Sequence, residues 1–210
     1  MTETVVLDDL AAARRITLAR PAKANALDAA MMASVASAVR KAPAAGATAV
    51  VLTASGGNFC AGADIEEFVA GDEGLHAQEA ALLDLIGALS GSAIPVLAIA
   101  RGRALGAGAI LLALADVVIA ADDLAVGAPE IRFDMYPVVV HAVLGQRLGA
   151  GAARQLCVSG RLLAAGEARA AGLVTDIAAI ATFEHDAAQR LDFYLRRTAA
   201  LSIARRAWQS

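Results

Sequence analysis

Apolar residues follow two patterns along the chain, one typical of buried strands and one typical of helices with a buried face. Apolar runs of strand length occupy residues 47–53 and 95–100, as in strands that are covered on both faces. A further strand is predicted at residues 116–121, where five apolar residues follow Asp116. Helical spacing of apolar residues marks a second set of segments, at residues 29–41, 74–89, 110–114, 138–148 and 150–158. Because strands and helices alternate, the pattern predicts an α/β fold with a largely parallel sheet.

Shorter elements complete this pattern. Residues 4–10 and 15–19 have the composition of two short strands joined by a turn. Asp28 precedes the first long helix and is a candidate cap for its unpaired amides. Residues 126–131 are predicted to be an extended piece that ends near a lone carboxylate.

The C-terminal part of the chain is predicted to be helical. Residues 183–207 have the pattern of one amphipathic helix with arginines on its polar side. We expect a core domain at residues 1–174 followed by a helical tail at residues 175–210. No linker, repeat or low-complexity tract lies between the two parts.

Composition narrows the classes of function. The chain has 210 residues, of which 58% are hydrophobic and only 4% aromatic, and its formal net charge is -3. Mixed charges of this balance do not favour nucleic acid or an anionic membrane as partner. The N-terminus lacks the basic flank and apolar stretch of a secretory signal, so we expect a cytoplasmic protein without a membrane segment. Cys60 and Cys157 stand apart with no zinc-ligand spacing, and no metal site is expected.

A glycine-rich turn at residues 102–116 links a predicted strand to a predicted helix. Gly106, Ala107 and Gly108 lie at the junction. The first amides of a helix are unpaired, and the helix dipole places partial positive charge there, so an oxygen anion would be stabilised at this turn. An alternative is that the glycines only allow tight helix packing, and this stretch alone does not decide between the two. A second small-residue segment, at residues 59–65, repeats the arrangement after another strand.

Five motifs carry a resemblance to a known family. They are R-P-A-K-A-N-A-L-D at residues 20–28, F-C-A-G-A-D-I at 59–65, G-R-A-L-G-A-G-A at 102–109, A-P-E-I at 128–131 and A-R-A-A-G-L-V at 168–174. In this order and spacing the chain resembles the crotonase superfamily, the enoyl-CoA hydratases and isomerases. The resemblance implies a crotonase-like spiral of ββα turns, two roughly perpendicular sheets and, here, a shortened C-terminal helical region.

The resemblance also implies a ligand and an assembly. Members bind an acyl thioester of coenzyme A, which enters as part of the substrate, so no separate cofactor is expected. Members form trimers that often pair into hexamers, and a homotrimer or hexamer is expected here. Members usually continue with further helices that complete the trimer and cover the acyl group. The early end of this sequence implies an open acyl site, a cover from a neighbouring subunit, or an acyl group carried by a carrier protein.

Site residues are carried over from the family position by position. Two main-chain amides that hold the thioester oxygen correspond to Ala63 and Ala107, and fixed donors of this kind stabilise an enolate without reorganisation. Positions that contact coenzyme A in the family correspond to Lys23, Ala24, Ala26, Ala61, Asp64, Ile65 and Gly106. Lys23 alone among them offers a charge for phosphate, although a solvated loop lysine is nearly as good an interpretation. Asp64 is expected to order its own loop through local hydrogen bonds.

The carboxylates favour one kind of chemistry. Family hydratases hold water between two glutamates, of which the second corresponds to Glu130 and the first to Ile110. An isoleucine can neither hold water nor pass a proton, whereas moving a double bond needs a single base that takes a proton and returns it. The sequence therefore favours isomerase-like chemistry over hydration, with Glu130 as acid and base.

Other groups and other functions stay open. Asp134 is a candidate accessory acid, with a solvent-facing or capping residue as the better-supported alternative, and His141, near Tyr136, is a weaker candidate. Decarboxylation or thioester hydrolysis through the same enolate is a second function. A binding protein that has lost turnover is a third, and Ile110 permits it.

Overall fold

The computed structural model describes residues 4–68 and 72–209. Residues 1–3, which are part of the N-terminus predicted to lack a secretory signal, lie outside this range. The strands are β1 (Val5–Leu10), β2 (Ala13–Leu18), β3 (Ala49–Ala54), β4 (Val96–Ala100), β5 (Arg103–Leu105), β6 (Val117–Ala121), β7 (Ala125–Gly127), β8 (Leu162–Ala164) and β9 (Asp176–Ala178).

Six of these strands form the main sheet, in the order β1-β2-β3-β4-β6-β9. β1 pairs antiparallel with β2, and every other neighbour in the sheet is parallel, as the alternation of strands and helices predicts. The helices are α1 (Ala29–Lys41), α2 (Ile65–Phe68), α3 (Asp72–Ser90), α4 (Ala107–Leu114), α5 (Val138–Leu148), α6 (Ala150–Ser159), α7 (Ala165–Ala170), α8 (Phe183–Leu195) and α9 (Thr198–Gln209).

Both faces of the main sheet are covered. Val50 and Leu52 of β3 belong to a large apolar cluster with α1, α3 and α4, whereas Ala49 and Val51 belong to a smaller cluster with α8. Successive side chains of a strand point to opposite faces, so a strand buried on both sides is apolar at every position. The continuous apolar runs of the sequence have this cause.

A second, three-stranded sheet, in the order β5-β7-β8, carries the glycine-rich turn. Isolated parallel bridges between Leu27 and Ala63 and between Cys60 and Ala104 extend the pairing towards residues 59–65. This arrangement brings the two small-residue segments of the sequence together.

Helix α1 has the predicted bounds, and the Asp28 side chain caps it by accepting a hydrogen bond of 2.7 Å from the Met31 amide.

The prediction of an extended piece at 126–131 is wrong beyond Gly127, because residues Pro129–Phe133 form a 3₁₀ helix. Proline fits the first turn of a helix, where its missing amide would be unpaired in any case.

The predicted single helix at 183–207 is also wrong. α8 ends at Leu195 and α9 begins at Thr198, without a glycine or proline to mark the break. The predicted helical tail at 175–210 moreover begins with β9, which pairs with β6 in the main sheet. Strands of three residues such as β9 are too short for their pattern to be recognised in a sequence.

Candidate active site

The first candidate donor, the amide of Ala63, lies on a short extended segment that pairs with Leu27. The Asp64 amide donates to the Leu27 carbonyl at 2.9 Å, and the Leu27 amide donates to the Gly62 carbonyl at 2.8 Å. Successive amides of an extended chain point to opposite sides, so the Ala63 amide points away from Leu27. Gly62 adopts φ 112°, and a Cβ there would lie 3.3 Å from the Leu105 carbonyl oxygen. The segment therefore runs directly beside the glycine-rich turn.

The second candidate donor, the amide of Ala107, is at the start of α4. Gly106 precedes the helix with φ 52° and ψ -114°, and its amide donates to the Gly127 carbonyl at 2.9 Å. The first intrahelical bond comes from the Ile110 amide, so Ala107 precedes the hydrogen-bonded ladder. Within residues 4–68 and 72–209, the amides of Ala63 and Ala107 have no hydrogen-bond acceptor.

The Glu130 carboxylate lies against this turn. A Cβ added to Gly106 would be 2.4 Å from Glu130 Oε1 and 3.9 Å from Gly62 Cα, so the carboxylate and both glycine segments meet at one place. Oε2 is buried and has no hydrogen-bond partner in the described part of the chain. Burial raises the pKa of Glu130, and a hydrogen bond with its own main chain opposes the shift only partly. A carboxyl of this kind holds a proton more readily than an exposed one, as a proton-transfer group needs.

The other candidate acids differ from Glu130 in their surroundings. Ile110 is fully buried in the large apolar cluster. Asp134 is exposed and ends the 3₁₀ helix with φ 60°, a backbone conformation that aspartate tolerates better than most residues. The Tyr136 hydroxyl lies 3.0 Å from His141 Nδ1, and the two rings meet edge to face.

Six of the positions expected to contact coenzyme A lie on two adjoining segments, residues 23–26 and 61–65, which together we call the strip; Gly106, the seventh, lies in the turn before α4. The Ala61 amide donates to the Ala24 carbonyl at 3.0 Å, which joins the loop after β2 to the segment that carries Ala63. Ala24 adopts a left-handed conformation with φ 48°, and the Ala26 carbonyl accepts from Arg20 at 2.8 Å. Further along the strip, Lys23 forms an ion pair with Glu66, and Ile65 is 64% exposed.

Arg20 holds this strip in place, a role that sequence reasoning missed. Its guanidinium pairs with Asp28 and with Asp64, each at 2.9 Å. Burial raises the pKa of Asp64, but hydrogen bonds from Arg20 and from the Glu66 amide outweigh it, so the pKa lies below its usual value. Asp64 thus makes the local bond expected of it and is anchored by Arg20 as well.

Gln78 of α3 contacts the segment that carries Ala63, and the sequence analysis did not predict this contact. Its amide nitrogen lies 3.1 Å from the Asp64 carbonyl and 3.4 Å from the Leu27 carbonyl, the two residues that pair around Ala63. A third acceptor, the Glu67 carboxylate, lies 3.2 Å away. Because these partners are far apart in sequence, no local motif could have predicted the contact.

Cys157 is the remaining group near the carboxylate. Burial, together with the charge of Glu130, raises the pKa of its thiol to about 11. At neutral pH the side chain is therefore a buried neutral thiol and not a nucleophile.

Among residues 4–68 and 72–209, no helix is both long and apolar enough to cross a bilayer. No three His, Cys, Asp or Glu side chains in this range converge as metal ligands would.

Comparison with known proteins gave consistent matches. The family model for enoyl-CoA hydratase/isomerase matches residues 10–207. The chain is 34% identical over 172 residues to a cyclohexa-1,5-dienecarbonyl-CoA hydratase of Thauera aromatica, with 78% of this chain and 63% of that protein covered. It is also 34% identical over 179 residues to a probable enoyl-CoA hydratase of Mycobacterium leprae, with 83% and 68% covered. The chain thus spans less than two thirds of the length of the first relative.

Solved structures share the architecture. An enoyl-CoA hydratase from Thermoplasma volcanium superposes with a TM-score of 0.88 at 30% identity, covering 97% of this chain and 82% of that one. An enoyl-CoA hydratase/isomerase from Marinobacter aquaeolei gives 0.87 at 25% identity, covering 96% and 81%. The mixed α/β fold with two sheets is the fold of these proteins, as the five sequence motifs imply.

Proposed function

This chain belongs to the enoyl-CoA hydratase/isomerase family of the crotonase superfamily, and on that premise we propose that it acts on an acyl-CoA thioester through an enolate. The favoured reaction moves a double bond between the β,γ and α,β positions of the acyl group. The observation that carries the proposal is the position of the Glu130 carboxylate beside Gly106, which itself lies close to Gly62, together with the amides of Ala63 and Ala107, which have no acceptor among the described residues.

The thioester oxygen is assigned to the amides of Ala63 and Ala107. When a proton leaves C2 of a 3-enoyl thioester, the electron pair of that bond moves onto the oxygen and forms a dienolate. Two fixed donors stabilise this charge, and loss of one such donor in comparable sites costs about 3–4 kcal/mol. Because both are main-chain groups, the alanine side chains at these positions do not disturb the chemistry.

Glu130 is assigned the proton transfers. Its carboxylate removes the C2 proton, and the resulting carboxylic acid then donates the proton to C4, so that the double bond forms between C2 and C3. The enzyme ends in the protonation state in which it began. The raised pKa of Glu130 supports this role, because the acid must hold the proton between the two steps.

Hydration is the second candidate, and the names of the relatives favour it. Adding water to a 2-enoyl thioester requires a positioned water and a proton for C2. A second carboxylate would share these tasks, but the position is occupied by Ile110, which is fully buried among apolar residues. Glu130 alone serves both tasks poorly, and this supports isomerisation over hydration.

Coenzyme A is assigned to the strip that includes Ala24, Ala26 and Ala61, mainly through main-chain groups, and no separate cofactor is included in the proposal. Lys23 is close enough to Glu66 to form an ion pair, so its contribution to phosphate binding is expected to be small. Lys23→Ala is therefore expected to change the affinity for coenzyme A only slightly. Glu130→Gln, by contrast, is expected to lower turnover strongly.

The test is to incubate the protein with 3-enoyl-CoA and with trans-2-enoyl-CoA, beside Glu130→Gln. We expect conversion of the 3-enoyl to the 2-enoyl thioester, slow or no hydration of the latter, and loss of turnover by about 10²–10⁴-fold in the variant. The variant should still bind coenzyme A, measured by calorimetry.

Other outcomes assign a different reaction. Fast hydration would replace isomerisation with the hydratase reaction. Binding of the thioesters without turnover would indicate a non-catalytic member, and turnover of thioesters on a carrier protein alone would replace coenzyme A as the substrate carrier.

A further inference from the structure

A cavity lies at the end of the main sheet, where β3 and β4 end and α8 begins. It encloses about 440 Å³ and is lined by Thr53, Gly56, Gly57, Arg101 and the first residues of α8, among others. Neither Glu130 nor the amides of Ala63 and Ala107 line it.

The strand pattern places Arg101 on the α8 side of the main sheet. Ala98 and Ala100 of β4 pack into the cluster with α1, α3 and α4, whereas Leu97 and Ile99 pack into the cluster with α8. Arg101 continues the alternation from Leu97 and Ile99 and therefore belongs to the α8 side. Ile99 and Phe183 line the cavity from the α8 side, whereas Ala54 and Phe59, which also line it, pack with the cluster of α1, α3 and α4. The cavity therefore lies at the end of β3 and β4, with Arg101 on its α8 side.

Arg101 is the unusual residue of this cavity. Its Nε atom is buried and has no hydrogen-bond partner among residues 4–68 and 72–209, and no carboxylate in that range lies within 4.0 Å of its guanidinium. A guanidinium carries donors in a fixed fork that matches the oxygens of a carboxylate or phosphate. A buried donor without an acceptor is costly, and an oxyanion in the cavity would remove that cost.

The walls beside Arg101 offer further donors. The loop that follows β3 contains Gly56 and Gly57, both exposed, and within the described chain their amides have no hydrogen-bond acceptor. The Thr53 side chain adds a hydroxyl at the end of β3. Glycine amides can approach a ligand closely because no Cβ intervenes.

One wall limits the charge that the cavity accepts. Glu184, in the first turn of α8, is exposed and also lines the cavity. Its carboxylate opposes a highly charged anion more than a singly charged group, because the repulsion grows with ligand charge.

We propose that this cavity is a binding site for a small oxyanion, the carboxylate or phosphate group of a metabolite, held by Arg101 and the Gly56 and Gly57 amides. The site is distinct from the thioester site and does not rest on the reaction proposed for it. It would give the protein a second small-molecule ligand, whose charged group occupies the α8 face of the sheet.

The experiment titrates inorganic phosphate, and separately acetate, into ¹⁵N-labelled protein and follows the Gly56 and Gly57 amide resonances. We expect saturable shifts in the wild type with at least one of the two anions, and their relative affinities identify the favoured group. Arg101→Met should weaken binding by about tenfold or more, the value of one charge-assisted contact.

Two further variants make the test specific. Arg103→Met removes the same charge at an exposed position two residues away and should change affinity less than twofold if Arg101 acts by contact. Glu184→Gln should tighten phosphate binding, because it removes the repelling carboxylate. The proposal is overturned if neither anion shifts these amides saturably, or if Arg101→Met binds as the wild type does.

Discussion

Single glycines decide how closely the backbone and the Glu130 carboxylate, the proposed base, approach each other. Gly106 lies beside the Glu130 carboxylate, whereas Gly108, in the same turn, lies beside main chain, since a Cβ there would be 2.5 Å from the Cys60 carbonyl oxygen. The sequence shows both only as small residues of one motif. In the structure they have different functions, one in the site and one in packing.

We predict that Gly106→Ala and Gly108→Ala have different effects. Alanine at 106 must adopt φ 52° and displace the Glu130 carboxylate, so activity should fall by about 10²-fold, as for other small displacements of reacting groups. Alanine at 108 meets main chain that cannot move freely, and it should lower the free energy of unfolding by about 1–3 kcal/mol. Isomerase assays and urea denaturation of both variants check this. Full activity of Gly106→Ala would contradict the assigned position of Glu130.

Glu130 also makes stability depend on pH. Its pKa in the folded protein is raised above the usual value of 4.5, so its favourable contribution is fully present below that value and is lost as pH rises through the folded pKa. Glu130→Gln should therefore be more stable than the wild type near neutral pH, and the difference should disappear at about pH 4. Chemical denaturation of both proteins across this range measures it. A constant difference would show that burial of the charge is not its cause.

Sequence motifs point to some residues of the candidate site and give no sign of others. Ala63, Ala107 and Glu130 lie within contiguous family motifs, so their positions could be proposed without a structure. Arg20 and Gln78 act through partners distant in sequence, since Arg20 contacts Asp64 across 44 positions. Neither the periodicity of apolar residues nor the spacing of motifs predicts such a contact.

At the scale of elements, a buried ion pair joins α9 to the core. Arg205 donates to Asp116 at 2.6 Å and to the Ser92 carbonyl at 2.8 Å, and the side chains of Arg205 and Asp116 are each 5% exposed. Asp116 also accepts from the Val96 amide at 2.7 Å. The break between α8 and α9 allows Arg205 to reach this position. The amphipathic pattern of the sequence does not predict this break.

We predict that Arg205→Met lowers the free energy of unfolding by about 3–5 kcal/mol, because it leaves a buried carboxylate without its charged partner. The neighbouring Arg206 is exposed, so Arg206→Met should stay within about 0.5 kcal/mol of the wild type. Urea denaturation of both variants gives the comparison. Equal effects would indicate that the ion pair contributes little beyond general charge.

At the scale of the whole molecule, exposed apolar residues collect just after the candidate catalytic residue. Phe133, Met135 and Val138 are 64%, 46% and 67% exposed, and a patch of this kind commonly marks a surface that another protein covers. The family resemblance implies a homotrimer or hexamer, and we propose that its subunits meet at this patch.

Light scattering should then give three or six times the mass of one chain. Phe133→Asp should shift the assembly towards the monomer, whereas Phe193→Asp, at a residue 50% exposed on α8, should not. A wild type that is monomeric at all concentrations would contradict this proposal without affecting the fold.

The central claim is that Glu130 removes a proton from the carbon beside a thioester whose oxygen is held by the amides of Ala63 and Ala107. The most direct test follows exchange of the C2 protons of a saturated acyl-CoA with solvent deuterium by NMR. We predict exchange catalysed by the wild type and slowed by about 10²-fold or more in Glu130→Gln. Exchange at equal rates in the two proteins, or no exchange by a wild type that binds the thioester, would contradict the account.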